Sequence, residues 1–200
     1  MFKSIKIFSF AVVMICGLTL HAQDTKKAGL GPYSFFSPTN VGLEFQWYPA
    51  GIIPGIEADW VLTKNLTLNT RIGMNIADRQ DFSKFHDHEE GKAFGGSLGV
   101  RYYLSDLHYH RSFIGLRTDI WDMTIDWTNF GPPEQKGSTD ILIVQPTIEL
   151  GYLHTIGNSP WNVGVALALG FEINVKTEGE EVAQGRVSLL SLHFNRRFLR

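Results

Sequence analysis

The chain has 200 residues and a formal net charge of −2, with 44% hydrophobic and 19% charged residues, 20 glycines and 12% aromatics. It is long enough for one sizeable domain, and nothing in its composition divides it in two. The near-balanced charge, with no basic run or stripe, argues against a nucleic-acid partner. Raised glycine and aromatic content points to β structure.

In chain order, "MFKSIKIFSFAVVMICGLTLHAQ" carries Lys3 and Lys6, then an apolar run from Ile7 to Leu20, then Ala22. This is the pattern of a signal peptide over 1–22, because the run is short of the roughly 20 residues a spanning helix needs. Cys16 is the only cysteine and lies inside that leader. Cleavage after Ala22 would leave a chain without disulfide or thiolate chemistry. Residues 23–39, with Gly, Pro and Ser but no period, read as a tether.

From residue 40 to 200 the sequence alternates apolar and polar positions in eight segments. These are Asn40–Tyr48, Ile56–Leu62, Leu66–Ile76, Phe94–Leu104, Ser112–Trp121, Asp140–Tyr152, Trp161–Glu172 and Arg186–Phe198. Period-2 alternation is the mark of strands whose two faces meet different surroundings. In the sixth, "DILIVQPTIELGY", Leu142, Val144, Pro146, Ile148, Leu150 and Tyr152 share the apolar face, and Gln145, Thr147, Glu149 and Gly151 the other. Pro146 has no N–H to give a neighbouring strand, so a local bulge is expected there.

Connections after segments two, four and six are short, whereas those after three, five and seven, at Ala77–Ala93, Asp122–Thr139 and Ile173–Gln184, are long and polar. The connection near "AGIIPG" is a short exception. Brief turns at one end, longer loops at the other and an even strand count describe an eight-stranded antiparallel up-and-down transmembrane β-barrel. The polar face then points inward. It carries Glu44, Glu57, Asp59, Arg71, Arg101, Arg117, Asp119, Glu149 and Glu172, both signs interspersed. The bore of eight strands is just wide enough for side chains to fill, so these charges are expected to pair as a structural network, with interior glycines making room for the long ones. The tryptophans and tyrosines near strand ends, Trp121 and Tyr103 among them, suit interfacial girdles.

"KNLTLNTRIG", "GGSLGVRYYL" and "VQPTIELGY" resemble the strand motifs of small outer-membrane barrels of the OmpA transmembrane-domain type, over roughly 40–200. That resemblance implies a monomeric barrel in the outer membrane of a Gram-negative cell. It would be surrounded by outer-membrane lipid, folded by the barrel-assembly machinery, and without the peptidoglycan-binding domain of larger relatives. The chain departs from the group in ending on Leu199 and Arg200 after Phe198, rather than on an aromatic residue.

Signals for chemistry are few. His108, His110 and Ser112 in "HYHRS" offer a nucleophile and a base, the minimum for a deacylase acting on lipid A, but on the wrong side of this topology and without a third group. His86, Asp87, His88, Glu89 and Glu90 have a spacing that suits weak metal binding and also an ordinary solvated loop. His193 reads as lumenal packing. The sequence therefore assigns no catalytic, cofactor or metal residues, and predicts a non-enzymatic barrel with a structural or adhesive role through its long loops. A lipid A-modifying enzyme and a soluble lipocalin-like binder are the alternatives.

Overall fold

In the computed structural model, residues 38–63, 65–80, 85–104 and 110–198 are described, the side chain of residue 110 excepted. The leader, most of the tether, His108, Leu199 and Arg200 lie outside them. Eight strands follow in order: β1 (Asn40–Tyr48), β2 (Gly51–Val61), β3 (Leu66–Gln80), β4 (His88–Tyr103), β5 (His110–Asn129), β6 (Gln135–Thr155), β7 (Trp161–Glu178) and β8 (Gly185–Arg197). Each pairs antiparallel with the next, and β1 closes on β8 from Asn40↔Arg197 to Trp47↔Leu190, making a closed eight-stranded barrel. Closure leaves no strand edge unpaired, which a β structure surrounded by lipid requires.

Every strand carries exposed apolar residues on its outward face. Phe45, Ile56, Ile72, Leu98, Leu116, Ile148, Leu167 and Leu192 are all exposed, one from each of β1 to β8. The inward face is where the buried charges lie. A lipocalin-like binder needs the reverse, an apolar cavity inside and a polar surface outside, so that alternative fails on the orientation of the faces.

Four expectations need correction. The segment "AGIIPG" is not a connection: β2 begins at Gly51, a tight turn at Pro49–Ala50 joins it to β1, and the strand has 11 residues rather than about seven. Proline hid it, yet Pro54 pairs with Phe45 on β1 while the β2–β3 register steps from Ile52↔Ile76 to Gly55↔Gly73. Second, the long loops are mostly strand. β3 and β4 stay paired out to Gln80↔His88, and β5 and β6 out to Asn129↔Gln135, while β7 runs on to Glu178. At about 3.3 Å per residue and a tilt near 40°, the 20 residues of β5 rise roughly 50 Å, twice an apolar band of about 25 Å. These hairpins therefore project well beyond the band.

Third, the girdle assignment fails for Trp121, Trp127 and Tyr103, which point into the barrel and are buried, whereas Trp47, Tyr102, Tyr152 and Trp161 do face outward. Fourth, the glycines facing the lumen admit aromatics as well as charged side chains. Gly95, Gly137 and Gly151 stand directly across the ladder from Trp121, Trp127 and Phe113. A Cβ on Gly95 would lie 2.6 Å from the Trp121 ring.

At Pro146 the β6–β7 register passes from Val144↔Ile173 to Thr147↔Gly170, stepping over Gln145 and Pro146. The register shift itself falls between Leu142 and Ile143, whose partners Lys176 and Asn174 skip Val175. Pro146 keeps its partner Thr118 on β5. Both in-strand prolines are thus paired on one side and passed over on the other, as the missing N–H requires.

Candidate functional site

The lumen is built in three layers. At the end with short turns, Tyr103, Phe113, Leu153 and Ala166 form a small apolar cluster, with the Arg111 guanidinium 5.7 Å from the Tyr103 ring centroid. At the end with long hairpins, Trp121, Met123, Ile125, Trp127, Ile141 and Ile143 pack with Ile53, Val182, Val187 and Leu189 into a larger one. Between them lies the polar layer.

That middle layer joins five carboxylates to three guanidiniums. Arg101 donates from Nε to Glu149 Oε2 (3.0 Å) and from Nη1 to Glu57 Oε2 (3.2 Å). Arg117 Nη1 donates to Glu44 Oε1 (2.9 Å) and Glu149 Oε1 (3.2 Å). Arg71 Nη2 donates to Asp119 Oδ1 at 2.5 Å and its Nη1 to Gln46. Asn69 Nδ2 donates to Asp59 Oδ1 (2.7 Å), and Gln46 Nε2 to Ser191 Oγ (2.9 Å). All are buried. In such surroundings each charge depends on its partners, since several kcal/mol of hydration per ion has been given up.

Of the nine charges the sequence places inward, the structure brings eight into this layer. The ninth, Glu172, sits toward the long-hairpin end, where its Oε1 accepts from Arg79 Nη2 (2.5 Å) and its Oε2 from Gln145 Nε2 (2.7 Å). Arg79 also donates to the carbonyl of Ala183 (2.8 Å), and Glu89 accepts from the Ala183 N–H (3.3 Å). Arg79 and Glu89 fall in a segment whose polarity reads as loop in the sequence. Their signal was the continuing alternation: Ala77 and Arg79 inward, Asp78 and Gln80 outward.

The alternation in fact runs on along β5 while its polarity inverts. Up to Ile120 the outward residues are Ile114, Leu116 and Ile120 and the inward ones Arg117 and Asp119; beyond it Asp122, Thr124 and Asp126 face out and Trp121, Met123, Ile125 and Trp127 face in. β6 inverts in register with it, Ser138 and Asp140 outward against Thr139, Ile141 and Ile143. Thr124 Oγ1 donates to Asp140 Oδ1 across the pair (2.6 Å). Below the switch the barrel is apolar outside; above it, it is patterned as a water-exposed protein is. Trp121 and Trp127 satisfy their indole N–H groups on Gln145 Oε1 (3.0 Å) and Thr139 Oγ1 (3.3 Å).

Of the two candidate chemical groups, the first lies largely outside the described residues and the second does not converge. Ser112 faces outward on β5, while His108 and the His110 side chain lie outside the described residues. In the loop, His86 is buried with its ring stacked on Trp127 (centroids 4.3 Å apart) and its Nδ1 3.2 Å from Asn129 Oδ1. Asp87 Oδ2 accepts from the Phe130 N–H (2.6 Å), His88 Nε2 lies 3.0 Å from Asp78 Oδ1, and Glu89 turns inward. These residues are spent on holding the hairpin tips rather than converging. His193 lies in the lumen, as the sequence places it, and the structure adds a partner: its Nδ1 lies 2.7 Å from Glu57 Oε1, beside Glu44 and Glu149.

With the fold and this geometry in view, comparisons with known proteins give three kinds of result. A family model described as "Protein of unknown function (DUF3575)" matches residues 38–186. No curated protein matches the chain. Among solved structures, the chain is similar to the N-terminal β-barrel domain of Pseudomonas aeruginosa OprF, at 13% identity and a TM-score of 0.42, covering 78% of this chain and 95% of that one. It is similar also to Neisserial surface protein A (12%, TM-score 0.49, 80% and 94%). A third is Acinetobacter baumannii CarO (10%, TM-score 0.45, 82% and 100%). The barrel assignment stands on the strand pairing itself.

Proposed function

The chain belongs to the family described as Protein of unknown function (DUF3575), and we propose that it is a non-catalytic outer-membrane barrel that carries projecting hairpins for a structural or adhesive role. The observation that supports this most is the inversion of polarity along β5 and β6, an apolar exterior giving way to an acidic, hydroxyl-bearing one within a single paired hairpin. A band apolar on all eight strands is what a bilayer solvates, and the polar extension is what water solvates. The contact surface is accordingly not a set of flexible loops. It is the outward side of the hairpin extensions, Asp122, Thr124, Asp126, Ser138 and Asp140 included, together with their tips. The surrounding partner is outer-membrane lipid, insertion uses the barrel-assembly machinery, and the barrel acts as a monomer.

Fractionation of cells expressing the full chain, with electrophoresis of the membrane fraction before and after heating, tests the first half. The expected outcome is detergent-requiring material whose mobility shifts on heating; water-soluble, unshifted protein overturns it. Protease added to intact cells tests the second half, since cleavage confined to the connections at 81–87, 130–134 and 179–184 places the hairpins outside.

A further inference from the structure

In the middle layer, Glu44 and His193 are direct partners across the β1–β8 ladder. His193 commits Nδ1 to Glu57, and its Nε2 is buried with no hydrogen-bond partner. Glu44 Oε2 is likewise buried and accepts no hydrogen bond, its nearest cation being Arg71 Nη1 at 3.5 Å. A ring nitrogen of His193, a carboxylate oxygen of Glu44 and one of Glu149 lie within 4.8 Å of one another. His193 Nε2 is thus a ligand atom left unpaired in the interior, where such an atom costs about 1–3 kcal/mol, and Glu44 Oε2 beside it accepts no hydrogen bond.

We propose that this cluster binds one divalent first-row transition ion, with His193 Nε2, Glu44 and Glu149 as ligands. Three observations converge on a cation rather than on a further hydrogen bond. The first is charge: the layer's five buried carboxylates outnumber its three guanidiniums, surroundings that favour a cation. The second is orientation. A histidine that ligates through one nitrogen ordinarily gives its other N–H to a carboxylate, which fixes the tautomer and raises basicity; Glu57 stands in that place at 2.7 Å. The third is ligand type, because one imidazole with two carboxylates suits zinc and its neighbours in the series, whereas calcium and magnesium prefer oxygen alone. Ligand bonds of about 2.0–2.2 Å draw the three atoms closer than they stand here, a contraction that glutamate side-chain rotation supplies. Arg117, 2.9 Å from Glu44 Oε1 and 3.2 Å from Glu149 Oε1, holds the opposite oxygen of Glu44, and the 3.5 Å contact of Oε2 with Arg71 Nη1 is the one an ion would displace.

Because apolar clusters close the lumen at both ends, the ion enters as the barrel forms. The full chain is therefore refolded from denaturant into detergent with zinc(II) or with a chelator, washed with chelator once folded, and its metal measured, the heat-dependent mobility shift serving as the check of folding. The expected result is about one zinc per chain, retained through the wash, and essentially none in folded His193→Gln or Glu44→Gln. Glu57→Gln lowers affinity by about 10- to 100-fold, as loss of an orienting carboxylate does. His154→Gln and His88→Gln keep the full amount. No retained zinc in the unaltered chain, or an undiminished amount in His193→Gln, overturns the proposal. Should the lumenal variants fail to fold, refolding the unaltered chain with cobalt(II) decides. An intense visible band from a four- or five-coordinate ion supports the site, and a weak spectrum like that of the hydrated ion overturns it.

Discussion

Arg101 ties two layers of the lumen together. Its guanidinium contacts Glu57 and Glu149, lies 3.6 Å from Asp59, and stacks 4.8 Å from the Phe113 ring centroid, so it joins the charged layer to the apolar cluster below it. Replacing it by methionine keeps the bulk and takes a cation away from three buried carboxylates, which keep Arg117, His193 and Asn69 as partners. The expected cost is about 3–5 kcal/mol, the usual penalty for removing one partner of a buried pair. Urea unfolding of vesicle-inserted protein, followed by tryptophan fluorescence, measures it. Adding Glu149→Gln should recover part of the loss, because the two positions share one network and their effects do not sum. A layer with water in it would tolerate the single change with little loss.

At the scale of the strand, the inversion on β5 makes one face into an internal control. Leu116 and Thr124 are both outward, eight positions apart. Arginine at Leu116 lies in the apolar band and should cost about 2–4 kcal/mol, as charged residues on the lipid face of barrels do near the midplane. Arginine at Thr124, beside Asp140 and above the band, should stay within about 0.5 kcal/mol of the parent in the same unfolding measurement, the usual range for surface changes. Equal costs at the two sites would mean that the switch at Trp121/Asp122 does not mark the edge of the band. The same inversion explains what the sequence made legible. Where the outward residues are apolar, as in Leu66–Ile76 or Trp161–Glu172, alternation reads plainly as strand with the charges inside. Where aspartates and threonines face out, as in "DMTIDW", the period persists but the polar residues look like loop, which hides the inward places of Arg79, Glu89 and Trp127. Pro54 concealed half of β2 in the same way, since an in-strand proline is tolerated only where the neighbouring ladder can pass over it. His193 was visible as an inward residue, but its pairing with Glu57 depends on closure between β8, β1 and β2, contacts more than 100 residues apart that no local pattern encodes.

For the molecule as a whole, the layered lumen decides whether the barrel is a channel. A path along the axis would cross the apolar cluster around Met123, Ile125 and Ile143, then the ion-paired layer, then the ring pair Tyr103 and Phe113, whose centroids are 5.6 Å apart. Neither cluster offers groups to replace an ion's hydration shell, and the buried side chains of the middle layer fill the bore between them. The protein reconstituted in a planar bilayer is therefore expected to show no steady conductance above the lipid background. Its unfolding midpoint should also change little between low and molar salt, because salt screens buried pairs far less than exposed ones. Channel openings in the bilayer, or a midpoint that falls steeply as salt rises, would mean that water reaches Arg71, Arg101 and Arg117. Those two readouts are linked by one physical cause, the exclusion of solvent from the polar layer. A barrel that conducted yet kept a salt-independent midpoint would place the path beside the charged layer rather than through it. Narrowing the bore at Gly99, which faces Arg117 across the β4–β5 ladder, would then leave the current unchanged.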